Sequence, residues 1–144
     1  MQGSGKLGSH IRNALLADTA LDVTIVSRIN SPATFSSSTK VSDAYPDTEM
    51  VNAFKGQDAV VLCLGFAADK YYASLVDSSI KAGVKHLVAS AYGGNDRSKE
   101  AEKLFPIAAQ KAQIIRELKS RETPGWAWTA TYCGLFFELF ISTF

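Results

Sequence analysis

Residues 21–27 (LDVTIVS) and 58–65 (DAVVLCLG) are short, β-branched and almost continuously apolar, and a helical pattern lies between them and on either side. A strand without polar–apolar alternation has to be buried on both faces, which calls for helices on both sides of a parallel sheet. The rest of the chain keeps the same rhythm. Ile11, Leu15 and Leu16 recur at helical spacing within 6–17, and Leu75, Val76 and Ile80 do so within 71–82. Residues 86–90 (HLVAS) and 126–132 (WAWTATY) are further strands, and 41–45 is a short one. Asp47 is placed to cap a helix running to Lys55, and a long helix over 103–121 is stopped by Pro124-Gly125. Residues 29–40, rich in Ser, Thr, Asn and Pro, form a loop. Strands alternating with helices in this way predict an α/β fold, a Rossmann-like doubly wound parallel sheet in one domain.

Composition removes other classes. Fifteen basic residues against 14 acidic ones leave a net charge of +1, too balanced for a nucleic-acid or polybasic membrane binder. With 47% of residues hydrophobic, the chain is no disordered segment. Met1 leads into polar residues and glycines instead of a signal-peptide core, and the longest apolar stretch is cut by Glu138, so a cytoplasmic protein is expected. Cys63 and Cys133 stand in apolar runs and read as buried packing thiols in a reducing compartment. No metal site is expected: His10 has no partner at ligand spacing, and His86 begins a strand. Trp126 and Trp128 alternate as core residues of a strand would.

Gly3-Ser4-Gly5-Lys6-Leu7-Gly8 satisfies G-x-G-x-x-G directly before a helix. Such glycines admit a tight turn and a close approach of backbone to a pyrophosphate, while the helix N-terminus offers free N–H groups. A structural turn is the competing reading. A P-loop is excluded because Leu7 follows the lysine where Ser or Thr is required. The apolar strand that follows ends in Ser27-Arg28, where an NAD enzyme would carry an acid for the ribose hydroxyl. Arginine there can pair with a 2′-phosphate, which favours NADP(H), and a solvated surface arginine is the alternative. Ser90 ends a strand on the side where sheets of this kind bind ligands, either as a cofactor contact or as a plain strand-end serine.

Together these residues resemble the N-terminal half of the NmrA-like, isoflavone-reductase-like proteins, an atypical short-chain dehydrogenase family. GSGKLG at 3–8, VSR at 26–28, KGQDAVV at 55–61, LGFA at 64–67, AGVKHLVAS at 82–90 and PIAAQKAQIIREL from Pro106 carry the resemblance. It implies a dinucleotide-binding fold preferring NADP(H), and it places Gly65, Phe66 and Ala67 along the cofactor. It also implies that Lys111, five residues after Pro106, matches the lysine of the catalytic members; an ordinary helix lysine is the alternative. No tyrosine has a lysine four residues later, so the Tyr-x-x-x-Lys pair of typical short-chain dehydrogenases is missing. Two departures stand out. Gln2 occupies the place of the first glycine in the family's G-x-x-G-x-x-G loop, and Ser90-Ala91-Tyr92-Gly93 replaces S-E-F-G.

Three functions compete on this reading. One is an NADP(H)-binding oxidoreductase of small substrates, phenolic or otherwise aromatic ones among them, with Lys111 as proton donor. The second is a non-catalytic NADP-sensing module, and the third an inactive truncated copy. A Rossmann sheet has a central strand before its glycine loop, and only Met1 and Gln2 precede Gly3. The domain is therefore expected to lack its first strand and any substrate domain, with 21–27 and 58–65 flanking a gap or forced together. Weak cofactor binding would follow.

Overall fold

The structure, a computed structural model, describes residues 5–28, 32–35, 40–45, 50–65, 70–94, 98–134, 136–137 and 141, with backbone alone for 28 and 40–45. Helix α1 (Lys6–Ala17) opens the chain, as the periodicity predicts. An Asp18 turn ends it: the Ala20 N–H donates to the Asp18 carboxylate at 3.0 Å and the Leu21 N–H to the Asp18 carbonyl at 3.2 Å. That turn uses the first residues expected in the strand, so β1 covers only Thr24–Arg28 and Leu21 is exposed. Parallel to it runs β2 (Lys40–Tyr45), with Ile25 opposite Val41 and a register shift between Ser27 and Arg28.

Helix α2 (Met50–Phe54) follows; the Asp47 cap lies outside the described residues. Then come β3 (Ala59–Val61), α3 (Tyr72–Lys81), β4 (His86–Ala89), α4 (Lys99–Leu104), α5 (Pro106–Ser120) and β5 (Ala127–Ala130). Strands β3, β4 and β5 form a second parallel sheet in that order, with Val60 opposite Leu87 and Leu87 opposite Trp128. The single long helix expected over 103–121 is two helices. Proline has no N–H and disfavours a helical residue before it, so Phe105 turns extended (φ −126°, ψ 113°) and Pro106 starts a new helix.

The core lies around the second sheet. Leu62, Leu87 and Leu118 are fully buried, and Phe54, Tyr72 and Leu75 pack with them. The Arg121 guanidinium donates to Asp77 at 2.8 Å, tying the end of α5 to α3. His86 serves the sheet, its Nε2 within 2.9 Å of Thr129 Oγ1 on β5. Trp126 is buried, and the half-buried Trp128 donates its indole N–H to Glu122 at 2.8 Å. The cysteines differ from expectation. Cys63 is half-buried, and Cys133 is exposed because β5 stops at Ala130 and leaves it beyond the packed layer. Among the described residues, no helix is long and apolar enough to cross a membrane, and no cluster of His, Cys, Asp or Glu could hold a metal ion.

Two parallel sheets, β1–β2 and β3–β4–β5, take the place of one continuous sheet. Between β1 and β3 lies a slot of about 470 Å³, lined on its walls by Ile25, Val26, Val60 and Val61 and from α1 by Ile11 and Leu15. The two apolar strands therefore line opposite walls of this slot.

Candidate functional site

Gly5 is the N-cap of α1, extended at φ −69° and ψ 164°, with no side-chain cap. An α-helix leaves its first N–H groups without intrahelical acceptors, and at α1 these are the N–H groups of Lys6, Leu7 and Gly8. The first turn holds no acidic side chain to repel an anion, and Lys6 adds a positive charge. The Ser9 N–H closes the first helical bond on the Gly5 carbonyl at 2.8 Å, and the Ser9 hydroxyl donates to the Lys6 carbonyl at 2.8 Å. Gly8 is buried where the helix passes the slot. These backbone donors and the absence of a bulky cap fit a pyrophosphate. Gly3 and Ser4 lie outside the described residues, as do Phe66 and Ala67. Arg28 is the last residue of β1, and only its backbone is described.

A second group gathers at the carboxyl ends of β3 and β4. The Ser90 hydroxyl accepts the Leu64 N–H at 2.9 Å and donates to the Leu64 carbonyl at 3.3 Å. It thereby fixes the backbone leading into Gly65. Two residues on, the Tyr92 carbonyl accepts from the ammonium of Lys111. Helix α5 aims Lys111 at this point because Ile114 and Leu118 on neighbouring turns anchor the helix in the core. Gly93 has φ +140°, and a Cβ there would collide with the Lys111 Nζ. The Gly134 N–H donates to the Gly93 carbonyl at 2.9 Å and brings the chain beyond β5 to the same place.

The sequence marked Cys63 only as a packing thiol and Tyr92-Gly93 only as a departure from the family pattern, and gave none of the three a place in the site. The Tyr92 hydroxyl and the Cys63 thiol are close enough to perturb each other. Burial pushes the Cys63 thiol up, partly opposed by the neighbouring Tyr92 hydroxyl. Burial, then the neighbouring Cys63, drives the Tyr92 phenol far above its ordinary range. Both side chains are neutral at pH 7. The glycine pair after the strand, Gly93-Gly94, was the available signal for this turn.

Fold and site define a class: an α/β dinucleotide-binding domain with an open helix N-terminus and a polar cluster at the carboxyl ends of its strands. The profile of a family described as NAD(P)H-binding matches residues 3–134, and the chain belongs to that family. The chain is 37% identical over 144 residues to oxidoreductase aprR of Aspergillus flavus, an alignment covering 97% of this chain and 48% of that protein. It thus spans about half the length of this curated relative. Among solved structures it resembles the triphenylmethane reductase of Citrobacter sp., crystallised with NADP(H). That match has a TM-score of 0.71 and 19% identity, and covers 97% of this chain and 50% of the other. At that identity the likeness shows the fold, a Rossmann-like parallel sheet.

Proposed function

We propose that the chain is the cofactor-binding part of an NADP(H)-dependent reductase of the isoflavone-reductase-like, NmrA-related branch. Its substrates would be small and aromatic, and it would work in the cytoplasm, where the free thiols of Cys63 and Cys133 stay reduced. The backbone N–H groups of Gly5, Lys6, Leu7 and Gly8, continuing the loop from Gly3 and Ser4, would hold the pyrophosphate. Arg28 at the end of β1 would pair with the 2′-phosphate, and Gly65, Phe66, Ala67 and Ser90 would line the other side. When bound, the nicotinamide supplies hydride.

Lys111 is the observation that carries the reading. Its ammonium sits beyond the carboxyl end of β4, held by the Tyr92 carbonyl, instead of extending into bulk solvent. There it holds a proton at Nζ that can pass to an oxygen gaining negative charge in a substrate. Ala91 favours the second reading, a dinucleotide sensor without turnover. It is fully buried and supplies no carboxylate beside Lys111.

Calorimetry with NADPH and NADH, on the native chain and Arg28→Ala, tests the cofactor preference. Equal affinity of the native chain for both would overturn it. A panel of aromatic carbonyls and enones then separates the readings. Turnover lost in Lys111→Met with NADPH affinity retained marks a reductase; binding without turnover marks a sensor.

A further inference from the structure

We infer that Gly93 is a positioning residue for Lys111: its missing side chain leaves the room in which the ammonium rests against the Tyr92 carbonyl. The inference rests on the reading of Lys111 as proton donor and adds what fixes the place of that proton. Lys111 reaches across from the second turn of α5, and its Nζ donates to the Tyr92 carbonyl. It is half-buried, whereas Lys103 on α4 and Lys119 on α5 are exposed. A half-buried ammonium has given up part of its hydration and needs an acceptor in return. A proton donor must also stand within hydrogen-bond reach of the atom it serves, and a lysine on its flexible four-carbon stem gains that place only by being held.

Backbone alone makes the holding site. The Ala91 N–H donates to the Ala89 carbonyl at 2.8 Å and closes a tight turn directly after β4. On the other side of Tyr92, the Gly93 carbonyl accepts the Gly134 N–H at 2.9 Å. With the chain tied on either side, the Tyr92 carbonyl keeps one direction. Gly93 then supplies the space. A Cβ built on it would collide with the Lys111 Nζ and stand 3.7 Å from its Cε. Among the described residues beyond its chain neighbours, it would meet nothing else within 4 Å. Gly56, Gly83, Gly125 and Gly134 also have positive φ, yet nothing lies within 4 Å of their Cβ positions. Those four serve the turn of the chain, and Gly93 serves a side chain as well.

Competitive acetylation of the 144-residue chain with acetic anhydride, read lysine by lysine in a mass spectrometer, tests the position of the ammonium. Lys111 should react about tenfold more slowly than Lys103 and Lys119, the size expected of a hydrogen bond to a charged group. In Gly93→Ala that lag should disappear, and in Gly94→Ala it should persist. Because alanine at φ +140° also strains the backbone, a double-mutant cycle separates the two effects. Gly93→Ala should lower the urea midpoint less in a Lys111→Ala chain than in the native one, since the backbone strain is common to both and the collision is not. A Gly93→Ala chain that folds only with Lys111→Ala is the extreme of that result. Lys111 reacting as fast as Lys103 in the native chain, a lag that survives Gly93→Ala, or an equal loss of midpoint in both backgrounds would overturn the inference. Neither measurement uses NADP(H) or turnover, so a chain that passes both and reduces nothing overturns the reductase reading alone.

Discussion

At Gly93 two constraints meet in one residue. Its φ of +140° is costly for any L side chain, and the space a Cβ would take holds the Lys111 ammonium. Gly94, next in sequence, has nothing within 4 Å of its Cβ position. Gly93→Ala should destabilise the chain by about 1–3 kcal/mol, while Gly94→Ala should change it by less than about 1 kcal/mol, as urea unfolding would measure. Cys63 and Tyr92 make a second test. The fold holds both neutral, whereas an unfolded chain ionises its thiol near pH 9.0 and its phenol near pH 10.0. Above those values the unfolded chain binds fewer protons than the folded one, so their contribution to stability falls as pH rises. Below pH 9.0 they add no pH dependence. Native chain and Cys63→Ala should therefore diverge in urea midpoint only on the alkaline side, with the native chain losing stability more steeply. At this scale the family resemblance singled out Lys111. Its anchor was not, because a backbone carbonyl has no identity in a sequence.

Among the elements, α1 has the bounds its periodicity predicts, because Gly5 and the Asp18 turn stop it locally. The long helix over 103–121 divides at Phe105, and the cause was in plain view: Pro106. Ile107 shows a different limit. It lies at helical spacing with Ile114 and Leu118, yet it is 51% exposed while Leu118 is 0% exposed. Periodicity gives the face of a helix, but not how far the neighbouring layer extends along it. Leu118→Ala should cost about 2–5 kcal/mol through lost burial and the cavity left behind. Ile107→Ala should cost less than about 1 kcal/mol, so the two midpoints in one denaturation series decide the matter.

For the whole molecule, the division into two sheets sets a gradient of stability. The core cluster centres on β3, β4 and the helices over them, whereas among the described strands β1 pairs with β2 alone. Two-stranded sheets are marginal without further packing. Amides of β1 should therefore exchange through openings of lower free energy than those of Leu87 and Val88 in β4. Native-state hydrogen exchange would show it as a difference of at least tenfold, and equal protection would contradict it. The sequence by itself determined the alternation of strands and helices and the glycine-capped start of α1, because these depend on side chains close together in the chain. Tertiary structure decided which strands pair and where the Lys111 ammonium rests. Each of these is a matter of backbone groups finding partners far along the chain, and every residue but proline carries the same N–H and C=O.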